Sequence, residues 1–221
     1  MTNEEILRHI DHTLLKAAAS WAEIEKLCSE AIIHHTASVC VPPSYVKPIY
    51  NVYGEELVIC TVIGFPLGYS VSAAKMQEAE AALAQGAGEL DMVINLGDVK
   101  NNAFARVEDE ISALKKIAGK KILKVIVETC YLDQDEKMRL CKIVTDSGAD
   151  YIKTSTGFGT AGATLADVLL FREHIGPGVK IKAAGGVKTR EDLVQFINSG
   201  CDRIGTSSAV ALLTGGKAGG Y

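Results

Sequence analysis

This chain of 221 residues predicts an α/β fold, a single (β/α)8 TIM barrel. Eight short β-branched runs alternate with amphipathic stretches, and no linker or low-complexity segment interrupts them. A similar phrase recurs: Gly-Ala-Gly-Glu-Leu-Asp at 86–91, Ser-Gly-Ala-Asp-Tyr-Ile-Lys at 147–153 and Ser-Gly-Cys-Asp-Arg-Ile-Gly at 199–205. Each is a glycine helix stop that feeds an acidic residue and then a strand, as one βα unit after another produces. Strands alternating with helices give a parallel sheet with right-handed crossovers, and eight strands close a barrel. The alternative, an open doubly wound sheet, would usually show a G-x-G-x-x-G turn after its first strand, and none stands there.

From the N-terminus, strands are expected at 10–12, 38–41, 57–63, 89–94, 122–127, 151–153, 180–183 and 203–205. The acidic start, Met-Thr-Asn-Glu-Glu, leads into a charged helix. Ser20 caps a helix over 21–34, and the alanine-rich stretch 71–85 stops at Gly86. A long helix is expected over 98–118. Asp133 opens one that runs to Asp146, with Gly148 just beyond, and Thr164 begins another. Thr189 precedes a helix over 190–198 that stops at Gly200. Side-chain oxygens stand where helix N-termini need acceptors, and glycines where the chain must turn left-handed to leave.

Apolar residues make up 48% of the chain, ample for a core in one domain spanning 1–221, with a flexible, glycine-rich tail from about 214. A net charge of −4 and a pI near 5.8 give no reason to expect nucleic acid or an anionic membrane surface as partner. The six cysteines are scattered without a C-x-x-C pair, which favours reduced thiols over a disulfide framework. No signal peptide is visible, and no apolar run approaches the ~20 residues needed to cross a bilayer. A cytoplasmic location is the expectation.

The chemistry is expected to centre on two lysines in strand-like segments. Lys153 lies in Asp-Tyr-Ile-Lys-Thr-Ser-Thr-Gly-Phe-Gly and Lys182 in Lys-Ile-Lys-Ala-Ala-Gly-Gly-Val. Burying an ammonium in an apolar strand is costly, so such a lysine is either paired or lowered in pKa. Two on neighbouring strands each depress the other, a route to an amine neutral enough to attack a carbonyl. On the fourth strand, period-two alternation puts Asp91 on one face with Val93 and Asn95. An inward carboxylate needs nearby cations, and Lys153, Lys182 and Lys124 are the candidates. Asp11 is a second inward acid. A buried ion-pair network that only stabilises the barrel is the other reading of these charges, although buried pairs stabilise poorly against apolar packing.

Three small-residue turns follow the late strands: Thr154-Ser155-Thr156-Gly157, Gly185-Gly186-Val187 and Gly205-Thr206-Ser207-Ser208. Glycines let backbone N–H groups approach an anion, hydroxyls add donors, and late-strand loops of barrels commonly hold a phosphate. Each turn alone is ordinary; together, beside two lysines, they favour a phosphorylated substrate. The five histidines show no metal-ligand spacing, so no metal is expected. Cys40, at the end of the second strand, either lines the pocket or is a small core residue.

Six segments, in order, resemble a known family: Asp-His-Thr-Leu-Leu-Lys (11–16), Gly-Phe-Pro-Leu-Gly (64–68), Glu-Leu-Asp-Met-Val-Ile-Asn (89–95), Lys-Val-Ile-Val-Glu-Thr (124–129), Tyr-Ile-Lys-Thr-Ser-Thr-Gly-Phe (151–158) and Lys-Ala-Ala-Gly-Gly-Val (182–187). Together they closely resemble the 2-deoxyribose-5-phosphate aldolases, class I aldolases built on a (β/α)8 barrel. The resemblance runs from Asp11 to the last residue. It implies reversible cleavage of 2-deoxy-D-ribose 5-phosphate into D-glyceraldehyde 3-phosphate and acetaldehyde through a covalent lysine imine, with no cofactor. By that match Lys153 forms the imine, and Lys182 lowers its pKa and moves protons with Asp91. Asp11, Thr13, Cys40, Lys124 and Thr156 match substrate-binding positions, and Gly157, Gly185, Gly186, Gly205, Ser207 and Ser208 those for phosphate. The C-terminal Tyr221 matches a tyrosine that assists proton transfer in this family; its other reading is a disordered tail. Some relatives carry a second lysine where this chain has Phe158, so phosphate charge falls to backbone amides, hydroxyls and Lys188.

A free lysine titrates near ~10.4, so about one in a thousand is a nucleophile at neutral pH. Burial beside Lys182 is expected to bring Lys153 towards ~7–8, and Asp91, whose charge would act the other way, is expected to contact Lys182 or a water first. Two alternatives stand beside this scheme: a Schiff-base aldolase for another phosphorylated sugar, and a non-catalytic barrel that binds one. A homodimer is expected, because apolar helix surfaces on barrels often pair.

Overall fold

Period-two alternation builds the strands of this protein, with apolar residues facing outward and several charged ones inward. In the computed structural model, which describes residues 1–215, they are β1 (Ile10–Thr13), β2 (Ser38–Val41), β3 (Ile59–Ile63), β4 (Glu89–Val93), β5 (Ile122–Ile126), β6 (Tyr151–Lys153), β7 (Lys180–Ala184) and β8 (Arg203–Thr206). They pair in chain order, all parallel, and β8 pairs back onto β1 through Asp11 opposite Gly205, closing the barrel. The helices are α1 (Asn3–Leu7), α2 (Trp21–His34), α3 (Val46–Tyr53), α4 (Ser72–Ala84), α5 (Leu96–Lys100), α6 (Phe104–Ala118), α7 (Gln134–Asp146), α8 (Leu165–His174), α9 (Arg190–Asn198) and α10 (Ala209–Thr214). The expected tail from about 214, with Tyr221, falls almost wholly outside the described residues.

The cap residues act as their types require. Ser20, Asp133 and Thr189 each accept from the third helical N–H while that residue's carboxylate reaches back, and Thr164 accepts from Asp167 N. Two expectations are corrected. β3 begins at Ile59, since Leu57 ends a tight turn after α3. The expected helix 98–118 is two: α5 stops at Lys100, and Asn102 takes a left-handed φ of 55° before α6 starts at Phe104. Asparagine adopts that conformation more readily than most residues, and an Asn-Asn pair therefore ends a helix without glycine.

The outward side chains of the strands, among them Val39, Ile59, Leu90, Met92, Val125, Ile152, Ile181 and Ile204, pack against the helices in one large buried cluster. The barrel interior is different in kind: it holds a small apolar group (Leu15, Cys40, Cys60, Val62) and a set of buried charges. A separate ion pair lies outside the barrel wall, where the Lys75 ammonium of α4 meets Glu110 of α6 at 2.8 Å and donates to the Val93 carbonyl, also at 2.8 Å. Among the described residues no helix is long and apolar enough to cross a membrane.

Candidate active site

Alternation within the strands delivers acids and bases to the same axis. On β4, Glu89 and Asp91 share the inward face; β1 supplies Asp11, β5 Lys124, β6 Lys153, β7 Lys182 and β8 Arg203. Asp91 is the hub: its Oδ2 lies 2.7 Å from both Lys153 Nζ and Lys182 Nζ, and its Oδ1 lies 2.8 Å from Lys124 Nζ. Lys182 is also 2.5 Å from Asp11 Oδ2, and Lys124 is 2.6 Å from Glu89. Arg203 closes the far side, donating to Asp11 at 2.6 Å and to Glu89 at 3.1 Å. Asp11, Asp91, Lys124 and Lys182 have no exposed surface, and Lys153 keeps only 2%.

Burial opposes the charges of Asp11, Asp91, Lys124, Lys182 and Arg203, and their partners outweigh it. Burial would raise the Asp91 carboxyl, but Lys124, Lys153 and Lys182 hold it well below the usual carboxylate range. Asp11 is likewise held down, by Lys182, Lys124 and Arg203. Burial would lower Lys182, but Asp11 and Asp91 keep it above the ordinary lysine range, so it stays an ammonium at neutral pH. The three cations named around Asp91 are where the sequence puts them. The expectation that Asp91 would keep clear of Lys153 is overturned. Both oxygens of Asp91 are shared among three ammoniums, so contact with Lys153 does not make an exclusive pair.

Above this network opens a cavity of about 350 Å3 at the C-terminal ends of the strands. Lys153 is the member of the network that reaches it, and Thr13, Thr156 and Leu15 share that wall. Much of the remaining wall is bare backbone or small side chains: Gly157, Gly185 and Gly186, with φ of 89°, 75° and 78°, then Gly205, Ser207 and Ser208. Only residues without Cβ hold two successive left-handed positions cheaply, which leaves that backbone open to a ligand. Lys188 brings a cation to the same rim. Asp11, Cys40 and Lys124, expected to bind substrate, lie instead beneath the cavity floor, and Thr156 commits its hydroxyl proton to Glu128. Tyr221 lies outside the described residues.

The structure adds residues that sequence reasoning did not single out. Glu128, after β5, has a left-handed φ of 54° and is 3% exposed; it accepts from Thr156 N at 3.1 Å and anchors the loop after β6. Burial raises its carboxyl above the ordinary value. Cys60 donates to Asp91 Oδ1 at 3.1 Å and sits opposite Cys40 in the β2–β3 register. Cys40, Cys60 and Asp91 are close enough together to share one metal ion, as are Asp11, Cys60 and Glu89. The ammoniums already on those carboxylates oppose a further cation.

A family model described as DeoC/LacD family aldolase matches residues 6–215. The chain belongs to this aldolase family. A relative from Clostridium botulinum (strain Alaska E43 / Type E3), named deoxyribose-phosphate aldolase, is 61% identical over 221 residues, the whole of both chains. One of the same name from Clostridioides difficile (strain 630) is 54% identical over 95% of this chain and 96% of its own. Among solved structures, a tetrameric deoxyribose phosphate aldolase from Aeropyrum pernix superposes with a TM-score of 0.90 at 33% identity, covering 96% of this chain and 91% of that one. The barrel expected from the sequence is thus also the fold of this family's solved members.

Proposed function

We propose that this protein is a deoxyribose-phosphate aldolase: it reversibly cleaves 2-deoxy-D-ribose 5-phosphate to D-glyceraldehyde 3-phosphate and acetaldehyde through an imine on Lys153. The observation that carries this is the placement of one amine, that of Lys153, between the open cavity and the buried Asp91–Lys182 pair. Lys182 remains a cation no further from Lys153 than twice their common 2.7 Å distance to Asp91 Oδ2. Asp91, in contact with both amines, can relay a proton between them and the substrate. Attack on the sugar carbonyl gives a carbinolamine, and its dehydration gives a protonated imine. That imine draws in the electron pair of the breaking carbon–carbon bond, so the scheme needs no cofactor.

Bare backbone at Gly157, Gly185–Gly186 and Gly205, with Ser207, Ser208 and the Lys188 cation, supports placing the phosphate on that wall. Tyr221 is proposed as the residue that assists proton transfer at the substrate carbon. The reading takes residues 1–221 as one catalytic domain in a cytoplasmic enzyme that self-associates, the last point supported by the tetramer described for the Aeropyrum pernix relative.

Borohydride reduction with acetaldehyde, followed by peptide mass mapping, tests the proposal. A single ethyl adduct on Lys153, lost in Lys153→Ala together with turnover, is the expected result. Label spread over many lysines, or turnover surviving in Lys153→Ala, would sink it.

A further inference from the structure

The buried charges form a closed ring in which signs alternate. Arg203 contacts Asp11, Asp11 contacts Lys182, Lys182 contacts Asp91, Asp91 contacts Lys124, Lys124 contacts Glu89, and Glu89 returns to Arg203. Three acids and three bases make the ring neutral. Lys153 is pendant on it, through Asp91 alone. Among the described residues in this network its ammonium is therefore the surplus cation, and it is also the one with a route to the cavity. Resting on the aldolase reading above, we propose that Glu89 and Arg203 are positioning residues for imine formation: by closing the ring they set the pH at which Lys153 releases its proton.

Other groups also face Lys153. Asp91 does so from β4, Lys182 from β7 and Cys40 from β2, while Glu128 follows β5 with its oxygens engaged by Thr156, and Lys188 stands at the rim. None of these residues is itself replaced when Glu89 or Arg203 is altered, and the sign of each alteration follows from the charge removed. Removing the Arg203 charge leaves a net negative ring that retains the Lys153 proton, and removing the Glu89 charge leaves a net positive ring that expels it. Neither Arg203 nor Glu89 lines that cavity; Arg203 begins β8, two strands from Lys153, and its side chain is 15% exposed.

The test follows the rate at which acetaldehyde and cyanoborohydride place an ethyl group on Lys153 of the full-length protein, between pH 5 and 9. Glu89→Gln moves the acidic limb of that rate to lower pH and Arg203→Met moves it to higher pH, each by roughly three- to tenfold in rate at a fixed pH on the limb. The double variant Glu89→Gln with Arg203→Met restores neutrality and returns the limb towards the wild type. A purely structural role would instead make the two defects add. Glu89→Asp and Arg203→Lys withdraw the charges without deleting them and move the limb in the same directions, less far, which keeps the test decisive if a neutral variant fails to fold. A limb that stays put across the folded variants, or moves the same way for acid and base changes, overturns the proposal. Failure of the wild type to label Lys153 at all would overturn the aldolase reading and this inference with it.

Discussion

Replacing Gly162 by alanine tests whether the bare backbone wall holds the phosphate. A Cβ at this position would stand 2.4 Å from the carbonyl carbon of Gly185, 2.5 Å from its oxygen and 2.8 Å from Gly186 N. Ordinary contact begins near 3.4 Å, so the two loops must part by about 1 Å. Neither can yield by rotating a side chain, because all three contacts are with backbone. The loops are also tied together where Ala163 N donates to the Ala184 and Gly185 carbonyls at 3.1 and 3.2 Å. Cores and tight loops deform poorly, and a displacement of that size at a binding wall costs on the order of 100-fold in rate. The assay compares kcat/KM for 2-deoxyribose 5-phosphate with that for unphosphorylated 2-deoxyribose, in a variant shown by circular dichroism to be folded. The phosphorylated substrate is expected to lose about 100-fold and the unphosphorylated one much less. Equal losses, or none for the phosphate ester, would refute the assignment of phosphate to this wall.

Other outcomes follow from the same geometry. Lys188→Met removes the rim cation and is expected to raise KM for the phosphorylated substrate several-fold with kcat little changed, an effect that shrinks as salt is added; a fall in kcat alone would count against it. Lys75→Met leaves the buried Glu110 carboxylate without its cation, with the Ser72 hydroxyl at 2.8 Å as its remaining donor, and is expected to cost about 3–5 kcal/mol, roughly 6–20 °C in Tm for a chain of this size. A Tm within a few degrees of the wild type in a thermal melt would contradict it. Because Asp11 and Asp91 ionise at lower pH in the folded protein than in the unfolded chain, their contribution is complete above the unfolded value near ~4 and is lost as pH falls through the folded values. Urea melts between pH 7 and pH 3 should therefore show stability dropping below about pH 4; an increase there would reverse the sign assigned to the network.

Much of this was legible because it is local. Strand order, caps at Ser20, Asp133, Thr164 and Thr189, and the inward face of Asp91 all follow from a few adjacent residues. The break at Asn102 was missed because the apolar spacing of 98–118 continues across it, and only the backbone conformation of one asparagine divides the helix. α3 was missed because it is eight residues long and carries Pro48, which its first turn tolerates. In the site, the three lysines around Asp91 could be named because each lies on an inward strand position. Asp11 could be named for the same reason, but Glu89 and Arg203 could not. Arg203 meets Asp11 and Glu89 across 192 and 114 residues, and nothing local to any of them signals the others. Glu128 was hidden for a different reason: its role depends on a left-handed conformation that its residue type does not advertise.

The ring draws its members from β1, β4, β5, β7 and β8, and β6 adds Lys153. No half of the chain contains it, and its last contacts form only when β8 docks between β7 and β1. An incompletely closed barrel would leave Asp11 and Glu89 without their guanidinium partner, while Lys153 would sit in a different field. The ion pairs proposed to ready Lys153 thus also form a seam between the last strand and the first. On the proposed reading, Lys153 meets the field that readies it only in the closed barrel.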